Sequence, residues 1–273
     1  MAALPRSLVT GGSIFAVVLL AAAFGPMVAP FPYDQMDIMA RMTPPDGVHW
    51  RGPDEFGRDV LSRLLFGARL SLLMGLGATF VSLVIGVPLG LAAGYLRGSI
   101  DEAIMRAVDL VISVPPILMG LLLLSLSTPN VWKTAAAVGL IYVPIMARLT
   151  RSVTLEIAGE EFVLAARARG ERLWYILAAE ILPNAWPPII VEAALRVTFA
   201  IMLGAALSFL GLGVQPPSSD WGLMIAEARP FIDTAPWVAM APGLVLCITV
   251  IAVNLIGDGL REVLDPRLKR GRG

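Results

Sequence analysis

Glu192 and Arg196 stand four residues apart with the acid first, the favourable order for an ion pair on one helix face. They lie in a hydrophobic stretch, where charged groups are candidates for a transport path by default. A second constellation is larger. Over residues 160–169 two acids, Glu160 and Glu161, open a short helix-forming run that Arg167 and Arg169 close. Acids at the start and bases at the end complement the helix macrodipole, so these charges support a helix and a docking surface, not bond-making. Groups that could break bonds are missing from the sequence. It has no G-x-x-x-x-G-K-[ST] phosphate loop, a single histidine (His49) and a single cysteine (Cys247). Neither ATP hydrolysis, nor nucleophilic catalysis, nor a resident metal has evident machinery. His49 reads as a loop residue without a special role.

The elements that carry these residues belong to a membrane protein. Hydrophobic residues make up 57% of the 273, charged residues only 15%, against about 25% charged in a soluble domain. The formal net charge is zero, which leaves no nucleic-acid footprint. Uncharged runs predict six spans at residues 7–33, 70–96, 110–132, 134–147, 197–219 and 234–257. About 20 apolar residues cross a bilayer as a helix, so the fourth run is short. Lys133 and Arg148 can snorkel from its ends and extend it. The first run is too long for a signal-peptide core and is expected to be an uncleaved anchor.

With six spans and the N-terminus inside, thirteen basic residues fall on inner segments and seven outside. That distribution predicts both termini on the inner side. It places residues 34–69 outside, ending in an amphipathic stretch from Asp59 that is expected to lie in the membrane interface. Residues 1–69 therefore read as an anchor helix, an external loop and an interfacial helix, and residues 70–273 as the main membrane domain. The glycines of the second span, among them Gly86, Gly90 and Gly94, are expected to serve helix packing first. Pro115 and Pro116 interrupt the third span and predict a kink, which makes them pathway candidates alongside Glu192 and Arg196.

The longest polar interruption of the second half, residues 151–188, reads as two short helices meeting at Gly170. The first covers about 160–169. Gly170 stands where a left-handed cap is expected. The second covers about 171–182 and is expected to be stopped by Pro183, Pro187 and Pro188. The pair looks like a docking knob on the inner side.

Those residues resemble a known pattern. Ala165, Ala166, Gly170, Leu182 and Pro183 match the coupling loop of bacterial ABC-importer permeases, EAA, three residues, G, nine residues, I-x-LP. Leu164 stands in place of the pattern's Glu and Glu180 in place of its Ile. Three stretches, DEFGRDVLSRLLFGARLSL, LSFLGLGVQPPSSDWG and NLIGDGLREVLDPRL, are similar to signatures of the second permease subunit of the peptide-type importers (the dipeptide, oligopeptide and nickel group). Pro53 departs from that group's usual Thr.

The resemblance implies an all-α integral membrane protein of the type I importer permease fold, with six spans and the coupling loop between spans four and five. It implies a bacterial inner-membrane location, a second homologous permease, two cytoplasmic ATP-binding subunits and an external solute-binding protein. ATP and Mg would be bound by those partner subunits, with no cofactor in this chain. Glu161, Phe162 and Arg169 join the five matched residues as the expected ATPase-docking set. The cargo implied is a peptide or a related small solute such as a nickel complex. Two alternatives stay open on the residues alone: an ion-coupled secondary transporter, which would want midplane carboxylates, and a non-transporting scaffold, which would not need prolines within spans.

Overall fold

Apolar periodicity without alternation leaves helix as the one way to satisfy the backbone in lipid, and every regular element among the described residues of the computed structural model is a helix. It describes residues 4–126, 128 and 130–264; the basic tail that the sequence places inside, with Arg267, Lys269, Arg270 and Arg272, lies outside the described residues. The elements are α1 (Arg6–Val28), α2 (Val60–Leu96), α3 (Gly98–Ile112), α4 (Pro116–Ser125), α5 (Val131–Ile157), α6 (Glu161–Ala168), α7 (Leu173–Tyr175), a π-helical turn (Ile176–Ile181), α8 (Leu182–Phe209), α9 (Trp221–Ala228) and α10 (Pro236–Leu264). Five helical segments are long and apolar enough to cross a membrane, and the bent pair α3–α4 makes up to six.

α2 is fixed at both ends. The Asp59 carboxylate accepts from the Ser62 amide, and Arg97 (φ 54°) followed by Gly98 (φ 60°) breaks the helix. At 1.5 Å per residue its 37 residues extend about 55 Å, well beyond a bilayer core of about 30 Å. α5 packs along it. A β-carbon at Gly86, Gly90 or Gly94 would come within 2.8 Å of Met146, Thr150 or Thr154 on α5, so the glycines permit the close approach. α5 also settles the short fourth run: its cap is Asn130 and its 27 residues are ample for a span.

Three expectations are corrected. The third span does not merely kink; α3 and α4 meet at 89° across 113–115, with Pro115 and Pro116 opening α4. Pro183, Pro187 and Pro188 do not stop the second knob helix. It runs on into α8, giving a continuous apolar helix from Leu173 to Phe209. The π-helical turn just before Pro183 shifts the hydrogen-bond register there, and the Glu180 carbonyl accepts from Asn184 Nδ2 at 2.7 Å. Finally, the stretch from Asp59 is no separate interfacial helix but the first turns of α2. Arg58 and Arg63 do not face solvent; both are buried.

Burial of two arginines requires counter-charges. Arg58 Nε meets Asp54 Oδ2 at 2.7 Å and Arg63 Nη1 meets the same oxygen at 2.6 Å. Both also reach Glu227 of α9, at 3.1 and 2.8 Å, and Glu55 stands 3.4 Å from Arg58. This network pins residues 52–63 to α9 and defines one end of the molecule, the loop end. His49, expected to be a loop residue without a special role, pairs through Nδ1 with Asp59 Oδ1 at 3.1 Å and stacks on Phe31. Burial raises the Glu55 carboxyl. At Asp220, whose Oδ1 caps α9 by accepting from Gly222 and Leu223, burial pushes the carboxyl up to about 6.

Candidate functional site

The opposite end carries the knob. α6 is amphipathic: Val163 and Ala166 are fully buried against Ala158, Ile176 and Ile181, and the other side is open. It ends in a Schellman motif, the Glu171 amide donating to Ala166 O (3.2 Å) and the Gly170 amide to Arg167 O (2.9 Å). Gly170 has φ 75°, as the sequence expects, and a β-carbon there would meet nothing within 4 Å. The elbow is therefore set by backbone conformation, not crowding.

Ion pairs brace it. Arg169 approaches Glu171 Oε1 at 3.4 Å and, across the elbow, Glu180 Oε1 at 3.6 Å. The Glu that departs from the importer pattern thus closes the angle between α6 and the π-helical turn. Arg167 Nε donates to the Tyr95 hydroxyl at 3.0 Å, and its guanidinium lies 4.4 Å over that ring, tying α6 to the end of α2.

Of the expected docking set, Glu161, Phe162, Ala165, Arg169, Gly170 and Pro183 are exposed and Leu182 is half-buried. Ala166 differs. Its side chain faces the molecule's interior, because α6 needs two inward positions one turn apart to sit on the π-helical turn. Sequence reasoning missed two surface residues past the elbow, Leu173 and Trp174. Trp174 is 65% exposed, and a large exposed indole at the polar end of a helix was the available signal. The knob thus presents aromatic and aliphatic side chains within a rim of charge, the composition of a protein interface.

The pathway candidates separate into two groups. Glu192 and Arg196 form the expected pair at 2.8 Å on α8, largely buried, with Arg196 over Phe199 (4.7 Å) and Tyr142 of α5 (5.4 Å). Tyr142 in turn donates to Phe199 O at 3.2 Å. This cluster joins α5 to α8. Pro115 and Pro116 sit at the bend; before it α3 is held to α5 by Asp101–Arg151 in its first turn, both oxygens engaged at 2.5 Å, and by Asp109–Arg148 near its last turn at 2.6 Å. α3 buries only Val108, so these ion pairs are its main polar attachment. No ion-pair ladder of this kind was readable from the sequence, since its partners lie 39 and 50 residues apart.

Residues 86–270 match the family model described as binding-protein-dependent transport system inner membrane component, and residues 6–45 match the N-terminal transmembrane domain of oligopeptide transport permease C. The chain is 40% identical over 261 residues to a dipeptide transport system permease protein of Alkalihalophilus pseudofirmus, covering 96% of this chain and 86% of that one. It is 41% identical to a di/tripeptide transport system permease protein of Pseudomonas aeruginosa (95% and 88%) and 39% identical to a glutathione transport system permease protein of Pectobacterium atrosepticum (97% and 89%). A chain of the MetNI methionine ABC transporter, solved in inward-facing conformations, superposes with a TM-score of 0.62 at 19% identity, covering 73% of this chain and 94% of that chain.

Proposed function

The chain belongs to the binding-protein-dependent transport system inner membrane components, and we propose that its knob docks onto a cytoplasmic ATP-binding subunit and relays that subunit's closure to the membrane bundle. The observation that carries this reading is the knob itself: a glycine elbow braced by Arg169–Glu180, fixed to α2 through Arg167–Tyr95, with Phe162 and Trp174 open for contact. Knob and α8 share one continuous helix, so a push on Leu173 or Trp174 travels along α8 without an intervening loop. A rigid lever of this kind biases a two-state bundle with no chemistry in the chain that carries it.

In this reading the knob end faces the cytoplasm, as do both termini, and the loop end faces outward. A second permease completes the pathway, an external solute-binding protein delivers cargo, and ATP and Mg stay with the ATP-binding subunits. The cargo is a di- or oligopeptide or a related small solute. The names of the dipeptide, di/tripeptide and glutathione permeases support the peptide class, since the chain aligns with them over almost its whole length. Neither the secondary transporter nor the scaffold is favoured.

Uptake of a radiolabelled dipeptide into vesicles tests it. The purified chain alone should neither hydrolyse ATP nor transport, and transport should appear only with both permeases, the ATP-binding subunits and the binding protein. Hydrolysis by the isolated chain, or uptake without any ATP-binding subunit, would sink the proposal.

A further inference from the structure

At the loop end a crevice of about 320 Å³ opens between α1, α2 and α10. One face of each helix lines it: Val17 and Ala21 on α1, Leu64 and Ala68 on α2, Leu244 and Ile248 on α10. The only charged group along it is Arg51. The volume lies in the range of small-ligand sites.

Arg51 is held in place by its backbone. The Gly52 amide donates to His49 O at 2.9 Å, closing a turn, and the Val60 amide donates to Gly52 O at 3.2 Å, fastening that turn over the start of α2. Gly52 has φ 69°, and a β-carbon there would stand 2.6 Å from Trp237 Nε1, so the turn rests on the first turn of α10. Arg51 therefore sits where α2 and α10 both begin. Among the described residues its exposed side chain has neither an ion pair nor a hydrogen bond. The Arg58 and Arg63 guanidiniums nearby in sequence pair with acids, whereas among the described residues Arg51, at the mouth of the crevice, has no acid partner.

We propose that this crevice binds one phospholipid of the leaflet at the loop end, an acyl chain filling the apolar slot and the phosphate pairing with Arg51. Both halves of the ligand are called for. An open slot lined by apolar side chains offers water no partners, and in a bilayer the available filler is an acyl chain. An unpaired guanidinium at its mouth matches a phosphate diester in charge and in its paired donors. The exposed Trp50 beside it has the amphipathic ring that settles at headgroup level. The inference depends on membrane insertion and not on which leaflet is the outer one or on the cargo.

The test is native mass spectrometry of the complete transporter, extracted in mild detergent and supplied with phosphatidylglycerol, comparing wild type with two variants. Wild type should retain one phospholipid on this chain after bulk lipid is stripped. Arg51→Gln should lower that occupancy about tenfold, the equivalent of one charge-assisted hydrogen bond. Ala21→Phe, which fills the slot and leaves the cation, should abolish it while complex assembly stays normal. A photoreactive amino acid at Leu244 should capture lipid. Equal retention in all three proteins would overturn the proposal, as would capture of the second permease from Leu244, which would make the crevice a protein interface.

Discussion

The Arg167 guanidinium lies 4.4 Å over the Tyr95 ring and donates through Nε to its hydroxyl at 3.0 Å, joining the knob to the far end of a 37-residue helix. Among the described residues it is the sole side-chain hydrogen bond between α6 and α2, and in the proposed mechanism it helps couple the knob to the bundle. Tyr95→Leu removes both interactions, worth about 1–2 kcal/mol together. Membrane abundance should stay near normal while ATP hydrolysed per peptide imported rises. An unchanged ratio would show that the knob is held by α8 alone.

Gly170 tests the elbow. With φ 75° and open space around it, Gly170→Ala should cost about 1 kcal/mol from backbone strain alone. Gly170→Val adds a branched carbon and should tilt α6 against the π-helical turn. The protein should still insert, and uptake should fall modestly in the alanine variant and severely in the valine one. Normal uptake in Gly170→Val would make residues 151–188 a passive connection.

Burial separates two residues of the expected docking set. Ala166 is fully buried whereas Phe162 is 39% exposed. Ala166→Asp places a carboxylate among Val163, Ile176 and Ile181, which costs several kcal/mol and should lower the amount of folded permease in the membrane. Phe162→Asp should leave abundance intact and reduce co-purification of the ATP-binding subunit. Quantitative immunoblotting beside affinity pull-down distinguishes them.

Asp220 carries a pH signature. Its folded carboxyl titrates at about 6, above the ordinary 3.8, so the neutral form is favoured by folding. That stabilisation is fully present below 3.8 and is lost as pH rises through about 6, amounting to about 3 kcal/mol at 1.36 kcal/mol per unit. Asp220→Asn keeps an oxygen to cap α9 and removes the titration. Between pH 5 and 7.5 the melting temperature of wild type should fall relative to Asp220→Asn. Parallel curves would contradict the assignment.

The sequence made the membrane class, the spans and the elbow at Gly170 readable because each rests on local pattern: uncharged runs, and a glycine after a run of helix formers. Three features escaped it for lack of such a pattern. The passage of the helix through Pro183 depends on a π-helical turn that a proline count reads as a stop. The burial of Arg58 and Arg63 depends on Glu227, more than 160 residues away. Which face of α6 turns inward is decided by Ile176 and Ile181, across the elbow from it. Exposure was readable where it follows from charge, as at Glu161 and Arg169, and burial was not readable at Ala166, a small residue that packs inward.

Photo-crosslinking from Trp174 in the intact membrane-embedded transporter tests the central claim most directly. With a photoreactive amino acid at position 174, irradiation should yield an adduct between this chain and a cytoplasmic ATP-binding subunit, stronger in the presence of a non-hydrolysable ATP analogue. Adducts with lipid or the second permease alone, with no ATP-binding subunit captured in either condition, would contradict the account.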